Sequence, residues 1–330
     1  MKRLGFWLRV FVSIVATALI LNWINWKEFI STLRMANISY LLLVYLIIHL
    51  DRLFMALKWL IIAKSAGASI NIHTAIKAYY IGAFWSYFLP ASVGGDVIRI
   101  GWLTKNGQNG IIVTSSIVIE RTLGMLALAI VSLGSLFFFG IYMDLRLTPL
   151  FGVILVFLIA SLIAVVALFN RYMHCMVKKL VSLIPFQRAS GIIEKIRISI
   201  LTFKEKPSIL TYFLILSVME QTFPIAGVFL LFKAFSIEMP LMWAIIGVSI
   251  AVAVSRMPIS IESIGVKEGM YALVFSFAGV TVGQAVMVSI VDRVLGILAV
   301  LPGALWTAFV PKRDLILRSV SKSSTSGEVD

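Results

Sequence analysis

The chain is poor in cysteine, histidine and charge. Of its 330 residues, one is Cys, three are His, and only 13% are Asp, Glu, Lys or Arg. A lone Cys175 closes no internal disulfide, so no disulfide framework can hold the fold. His49, His73 and His174 are scattered, and no His/Cys cluster has metal-ligand spacing, so neither a metal nor a cofactor is expected. No Gly-rich loop follows a strand pattern, which removes a nucleotide cradle, and nothing marks a Ser–His–acid arrangement. No catalytic residue is assigned, and an enzyme is not expected. Also missing is any charged block large enough for a soluble domain.

What remains is apolar from end to end. The residues are 60% hydrophobic and the mean hydropathy is +1.01, which is too apolar for a soluble domain of this length. The sequence reads as an all-α, polytopic membrane protein with one membrane domain over residues 1–310. The polar, Ser-rich tail 311–330 is expected to be disordered and cytoplasmic. The start, "MKRLGFWLRVFVSIVATALILNW", is signal-like but lacks a small-residue cleavage site, so it reads as an uncleaved first span. Lys and Arg number 29 against 15 acids, a net charge of +14 that belongs to cytoplasmic loops and an anionic leaflet rather than to nucleic acid.

About 20 apolar residues cross roughly 30 Å of hydrocarbon. Segments 7–25, 39–62, 111–141, 149–169, 208–234 and 283–310 meet that length. Stretches 74–105 and 240–281 are broken near their middles by Pro, Gly, Ser and charge. Positive charge places the N-terminus, the loop 170–207 and the C-terminal Lys312 and Arg313 inside. Six crossings fit those assignments only if each broken stretch leaves on the side it entered, as a re-entrant hairpin of two half-helices. Within the basic loop, "SGIIEKIRISILTF" suits either an interfacial amphipathic helix or a solvated connector.

The two broken stretches resemble each other. "PAS" at 90–92 matches "PIS" at 258–260, and "ERTLGMLA" at 120–127 matches "DRVLGILA" at 292–299, with a four-residue slip between the motifs. The pattern predicts an inverted repeat with halves 7–141 and 149–310, a plan in which half-helix ends meet at a polar substrate. An ionisable side chain in hydrocarbon costs at least about 2.5 kcal/mol, so such residues pair or face a cavity. The candidate substrate-binding residues are Pro90, Ser92, Gly94, Gly95, Asp96, Arg99, Glu120 and Arg121 in the first half. In the second half they are Arg256, Pro258, Ser260, Glu262, Glu268, Asp292 and Arg293. Gly94 and Gly95 are expected to open the backbone toward a ligand. Arg99, Arg121, Arg256 and Arg293 would suit an anionic headgroup. The same pairs could instead lock the helices, and Asp51, Arg52 and Glu220 read as structural or interfacial.

The ordered motifs "FLPASVGGDVIR", "ER-x-x-G", "P-x-S-x-x-x-x-G-x-x-E" from Pro258 to Glu268, and the late "DR-x-x-G" resemble the lysylphosphatidylglycerol synthase transmembrane-region family of flippase-like proteins. The similarity runs from about residue 5 to 310. Its best-known relative, the multiple peptide resistance factor, adds a soluble aminoacylating domain that is not expected here. The resemblance implies movement of a modified phospholipid or polyprenyl-linked glycan between leaflets of a prokaryotic inner membrane. Two alternatives stay open: a membrane-embedded enzyme for lipid-linked glycosyl or aminoacyl transfer, and an accessory subunit for a separately encoded synthase or glycosyltransferase.

Overall fold

A computed structural model describes residues 30–31, 33–89, 94–140, 148–170, 189–256 and 263–308. Every described element is helical, and the order follows the apolar segments closely. They are α1 (Ile38–Ser65), α2 (Ile72–Ser86), α3 (Gly94–Lys105), α4 (Gly110–Gly140), α5 (Thr148–Phe169), α6 (Ala189–Leu201), α7 (Pro207–Glu220), α8 (Thr222–Ala234), α9 (Leu241–Ser255), α10 (Val266–Ser276) and α11 (Val282–Ala308). Five segments are long and apolar enough to cross a membrane: α1, α4, α5, the α7–α8 pair, and α11. The sixth predicted span, 7–25, lies outside the described residues, as does the tail from 309 onward.

The ends of these helices are set by local chemistry. The Asn37 side chain accepts the Ser39 N–H at 3.0 Å, and Asn71 accepts the Thr74 N–H at 2.8 Å, so the first turns of α1 and α2 have caps. Gly67 follows α1 at φ +96°, a left-handed turn that ends the helix. Serines are tolerated inside apolar helices because their hydroxyls bond back to carbonyls one turn earlier, as Ser161 does to Phe157 at 2.8 Å.

One predicted span is less regular than its sequence suggested. The stretch 208–234, expected as one helix, breaks at Gln221. Pro224 has no N–H to offer the carbonyl of Glu220 four residues back, so the ladder parts there. The stretch 189–201 within the basic loop is indeed helical, packing on α4 through Ser115 Oγ, which donates to the Ile196 carbonyl at 3.3 Å.

Both broken stretches are pairs of short helices. α2 packs along α3, and α9 packs along α10. The packing is also reciprocal: α2 lies against α11, the closing helix of the second half, while α9 lies against α4, the closing helix of the first. Small residues permit the closest crossings. A Cβ on Gly303 of α11 would sit 2.2 Å from the Tyr80 carbonyl oxygen of α2, and one on Gly95 would sit 2.1 Å from the Gly82 carbonyl oxygen.

Gly303→Ala should therefore lower the thermal midpoint of the detergent-solubilised protein, with about 1–3 kcal/mol of overpacking to absorb. Gly101→Ala, on an exposed helical site with no neighbour within 4 Å, should hold or raise it. Thermal unfolding of the two variants side by side checks the contrast.

Candidate functional site

The break between α2 and α3 places an acid and an arginine one helical turn apart. Asp96 stands in the first turn of α3 and Arg99 follows three residues on, so both face the same way. Their partners come from α4. Arg99 Nη2 donates to Glu120 Oε2 at 2.5 Å and lies 3.6 Å from Asp96 Oδ1. Arg121 Nε donates to Asp96 Oδ2 at 2.9 Å, and the Tyr79 hydroxyl donates to Glu120 Oε1 at 2.9 Å. The Arg99 guanidinium is also sandwiched near two rings, 4.7 Å from Trp59 and 4.9 Å from Tyr79. Asp96, Arg99 and Glu120 are buried, whereas the Arg121 side chain keeps 36% of its surface open. Arg121 is the cation of this cluster that an incoming group can reach.

The second hairpin is closed in a related way. Arg293 of α11 donates from Nη2 and Nε to Glu268 Oε1 at 2.8 and 3.1 Å. Glu268 Oε2 accepts the Gly265 N–H at 2.8 Å, which fixes the first turn of α10. Asp292 pairs with Lys267. Arg121 and Asp96 are 25 residues apart, and so are Arg293 and Glu268. Thus the same acid-to-arginine clamp holds each short helix to its closing helix. The acid-to-arginine spacing is the same in both stretches, and the four-residue slip in the sequence comparison lies between the prolines and the acids.

A third group joins the halves. Lys58 of α1 pairs with Glu220 at the end of α7 and donates to Ser217 Oγ at 3.1 Å. Asp51 and Arg52 lie about two turns earlier on α1, within electrostatic range of Glu220. Arg256, which caps α9, is in electrostatic range of Arg121, Glu220, Tyr79 and Arg52. Three otherwise distant stretches, from α1, α4 and α9, therefore meet at one polar centre.

Of the predicted residues, Asp96, Arg99, Glu120 and Arg121 come together as one network, and Glu268, Asp292 and Arg293 as another. Arg256 lies in electrostatic range of Arg121 in the first. Pro90, Ser92, Pro258, Ser260 and Glu262 lie outside the described residues, and with them the expected approach of the two proline tips. Gly94 and Gly95 do not take the special backbone expected of them. They form the first helical turn of α3 without positive φ, and are small because Leu89 and the Gly82 carbonyl crowd them. The left-handed glycine of the pair of hairpins is Gly265, at φ +82°.

The sequence reading missed Lys58, Lys267, Tyr79 and Trp59. A lysine inside the apolar run 39–62 was the available signal for Lys58, since an intramembrane cation demands a partner. Tyr79 and Trp59 carried no signal, because aromatic side chains abound in such helices. Among the described residues, no group of three His, Cys, Asp or Glu is placed to hold a metal ion.

Comparison with known proteins agrees with this architecture. The sequence profile described as "Lysylphosphatidylglycerol synthase TM region" matches residues 6–303. A UPF0104 membrane protein of Pyrococcus horikoshii is 24% identical over 105 residues, which is 32% of this chain and 31% of the relative. The match thus spans about a third of that relative's length. No solved structure matches the chain.

Arg99→Leu leaves Glu120 buried without its cation and should destabilise the protein by about 3–5 kcal/mol. The double variant Arg99→Leu/Glu120→Leu removes both charges and should recover most of that loss. Chemical or thermal unfolding of the single and double variants measures the coupling.

Proposed function

The chain belongs to the lysylphosphatidylglycerol synthase transmembrane-region family, and from that premise we propose that it moves a lipid with a polar or anionic headgroup between the two leaflets of a membrane. The observation that carries this reading is the polar centre itself. A network of buried acids and arginines lies among helices long enough to span hydrocarbon, held by two pairs of short helices whose broken backbones adjoin it.

In this reading the acyl chains stay in the bilayer while the headgroup exchanges water for the protein's own charges. Asp96 holds Arg121 when no lipid is bound. An anionic headgroup arriving at the open side of Arg121 replaces the carboxylate as its partner, so the charge of the arginine is balanced throughout. Arg99, buried on Glu120 between two rings, keeps α3 on α4 as this exchange proceeds. No bond is made or broken, so the activity is transport rather than catalysis.

The two halves are read as an inverted repeat, which would present the same clamp to both leaflets. Positive charge in the loops supports both termini on the cytoplasmic side, and the membrane is read as a prokaryotic inner one. A separately encoded synthase or glycosyltransferase would supply the lipid.

Reconstitution into vesicles carrying a fluorescent phosphatidylglycerol, with bleaching from outside by a membrane-impermeant reductant, tests the reading. Wild type should expose the inner-leaflet pool, and Arg121→Gln should slow this by about tenfold or more. A wild-type rate equal to that of empty vesicles would sink the transport reading, and a new lipid product formed by the purified protein would replace it with an enzymatic one.

A further inference from the structure

Helix α6 lies between two membrane spans, and its contacts fix its depth. α4 is apolar enough to span over Gly110–Phe138, 29 residues. That is about 43 Å of helix, which overshoots a hydrocarbon core of roughly 30 Å by about 6 Å at each end. Ser115, whose hydroxyl donates to the Ile196 carbonyl of α6 at 3.3 Å, stands about 8 Å along that helix. α6 is therefore level with the boundary between headgroups and acyl chains. Just past it, Lys206 donates to the carbonyl of Ser65, the last residue of α1, at 2.8 Å, and Pro207 opens the next span.

The two faces of α6 differ. Ile196, Ile200 and Phe203, at spacings of four and three, turn inward. Ile200 and Phe203 are buried in one cluster with Ile62 of α1, Ile119 and Leu123 of α4 and Phe213 of α7. Lys195, Ile198 and Thr202, at spacings of three and four, form an exposed face on which Ile198 keeps 59% of its surface open. Lys204 is exposed on the turn that follows. In water a lone exposed isoleucine would be ordinary. At this depth it meets acyl chains, while lysine stems reach up to the headgroups.

The charge of the segment selects the lipid. Between residues 170 and 207 the chain carries eight Lys and Arg against two acids, Glu194 and Glu205. We propose that the outer face of α6 is a binding surface for anionic phospholipids of the adjoining leaflet, with Ile198 among their acyl chains and Lys195 and Lys204 on their phosphates. An acidic protein segment would complement the lysines too, but it would have to enter the headgroup layer to reach this face. The surface belongs to the leaflet beside the bundle rather than to the headgroup route, and it holds whether or not the chain moves lipid.

Fluorescence quenching in vesicles provides the test. The purified full-length protein carries Cys175→Ser, which removes its lone cysteine, and Ile198→Cys labelled with an environment-sensitive dye. The vesicles are phosphatidylcholine with a minor fraction of either phosphatidylglycerol or phosphatidylcholine bearing a nitroxide near the top of one acyl chain, and iodide probes exposure to water. Both nitroxide lipids should quench the label and iodide should not. Phosphatidylglycerol should reach half-quenching at about a fivefold lower fraction. Lys195→Glu/Lys204→Glu should abolish that preference, whereas Lys233→Glu should keep it, because Lys233 lies at the end of the bundle where α1 begins. A label open to iodide and untouched by either lipid would overturn the surface, and shielding of that same label in native membranes alone would reassign it to a protein partner. Equal quenching by the two lipids, or an unchanged preference after charge reversal, would overturn the anionic assignment. Thr202→Cys, on the same exposed face, repeats the measurement if Ile198→Cys lowers the thermal midpoint.

Discussion

A guanidinium or carboxylate inside a membrane bundle must find an opposite charge, and the arrangement of this protein follows from that requirement. Removing an ion from water costs several kcal/mol, so charges at this depth come in pairs, and the pairs dictate which helices touch. Asp96 and Arg121 hold α3 on α4, Glu268 and Arg293 hold α10 on α11, and Lys58 and Glu220 hold α1 on α7. Apolar packing alone would not choose among these neighbours, because lipid tails solvate Leu and Val as well as another helix does. Close approach then depends on glycine, at Gly95 within the first hairpin and at Gly303 where α11 crosses α2.

The two clamps are alike in geometry but not in surroundings. Around Asp96 the network extends through Arg99, Glu120 and Tyr79 and reaches α1 and α9, with Arg121 partly open. Around Glu268 it is local: Arg293 and a backbone N–H satisfy the acid, and Lys267 takes Asp292. Arg99 has its positional counterpart, by the clamp spacing, at Tyr271, an aromatic whose hydroxyl is buried without a partner. Among the described residues, the cluster around Asp96 thus carries the larger share of the polar centre.

Much of this was legible in the chain itself. The apolar runs predicted each described long helix, and the two interruptions predicted both pairs of short ones, because proline, glycine and charge are costly in a lipid-facing helix. The motif pairs at Glu120–Arg121 and Asp292–Arg293 were legible as candidates for buried pairing. What misled was the glycine pair. Adjacent glycines suggest an unusual backbone, yet Gly94 and Gly95 sit in an ordinary helical turn, and only the neighbouring Gly82 carbonyl explains their size. The break at Gln221 was overlooked because a single Pro224 in an apolar run resembles a tolerated kink.

The sequence by itself determined the class of protein, the long apolar helices and the two interrupted stretches, and the family, since each depends on local composition and on short ordered motifs. Only the tertiary structure decided which charge answers which. Four arginines looked equivalent in the chain, but Arg99 and Arg293 are held on buried acids, Arg121 is held by Asp96 with part of its surface open, and Arg256 lies in electrostatic range of both Arg121 and Glu220. Arg52, read from the sequence as structural or interfacial, has a buried Nε without a hydrogen bond. Charge balance is a sum over neighbours within a few ångströms, drawn from helices far apart in sequence, and no spacing along a single chain encodes it.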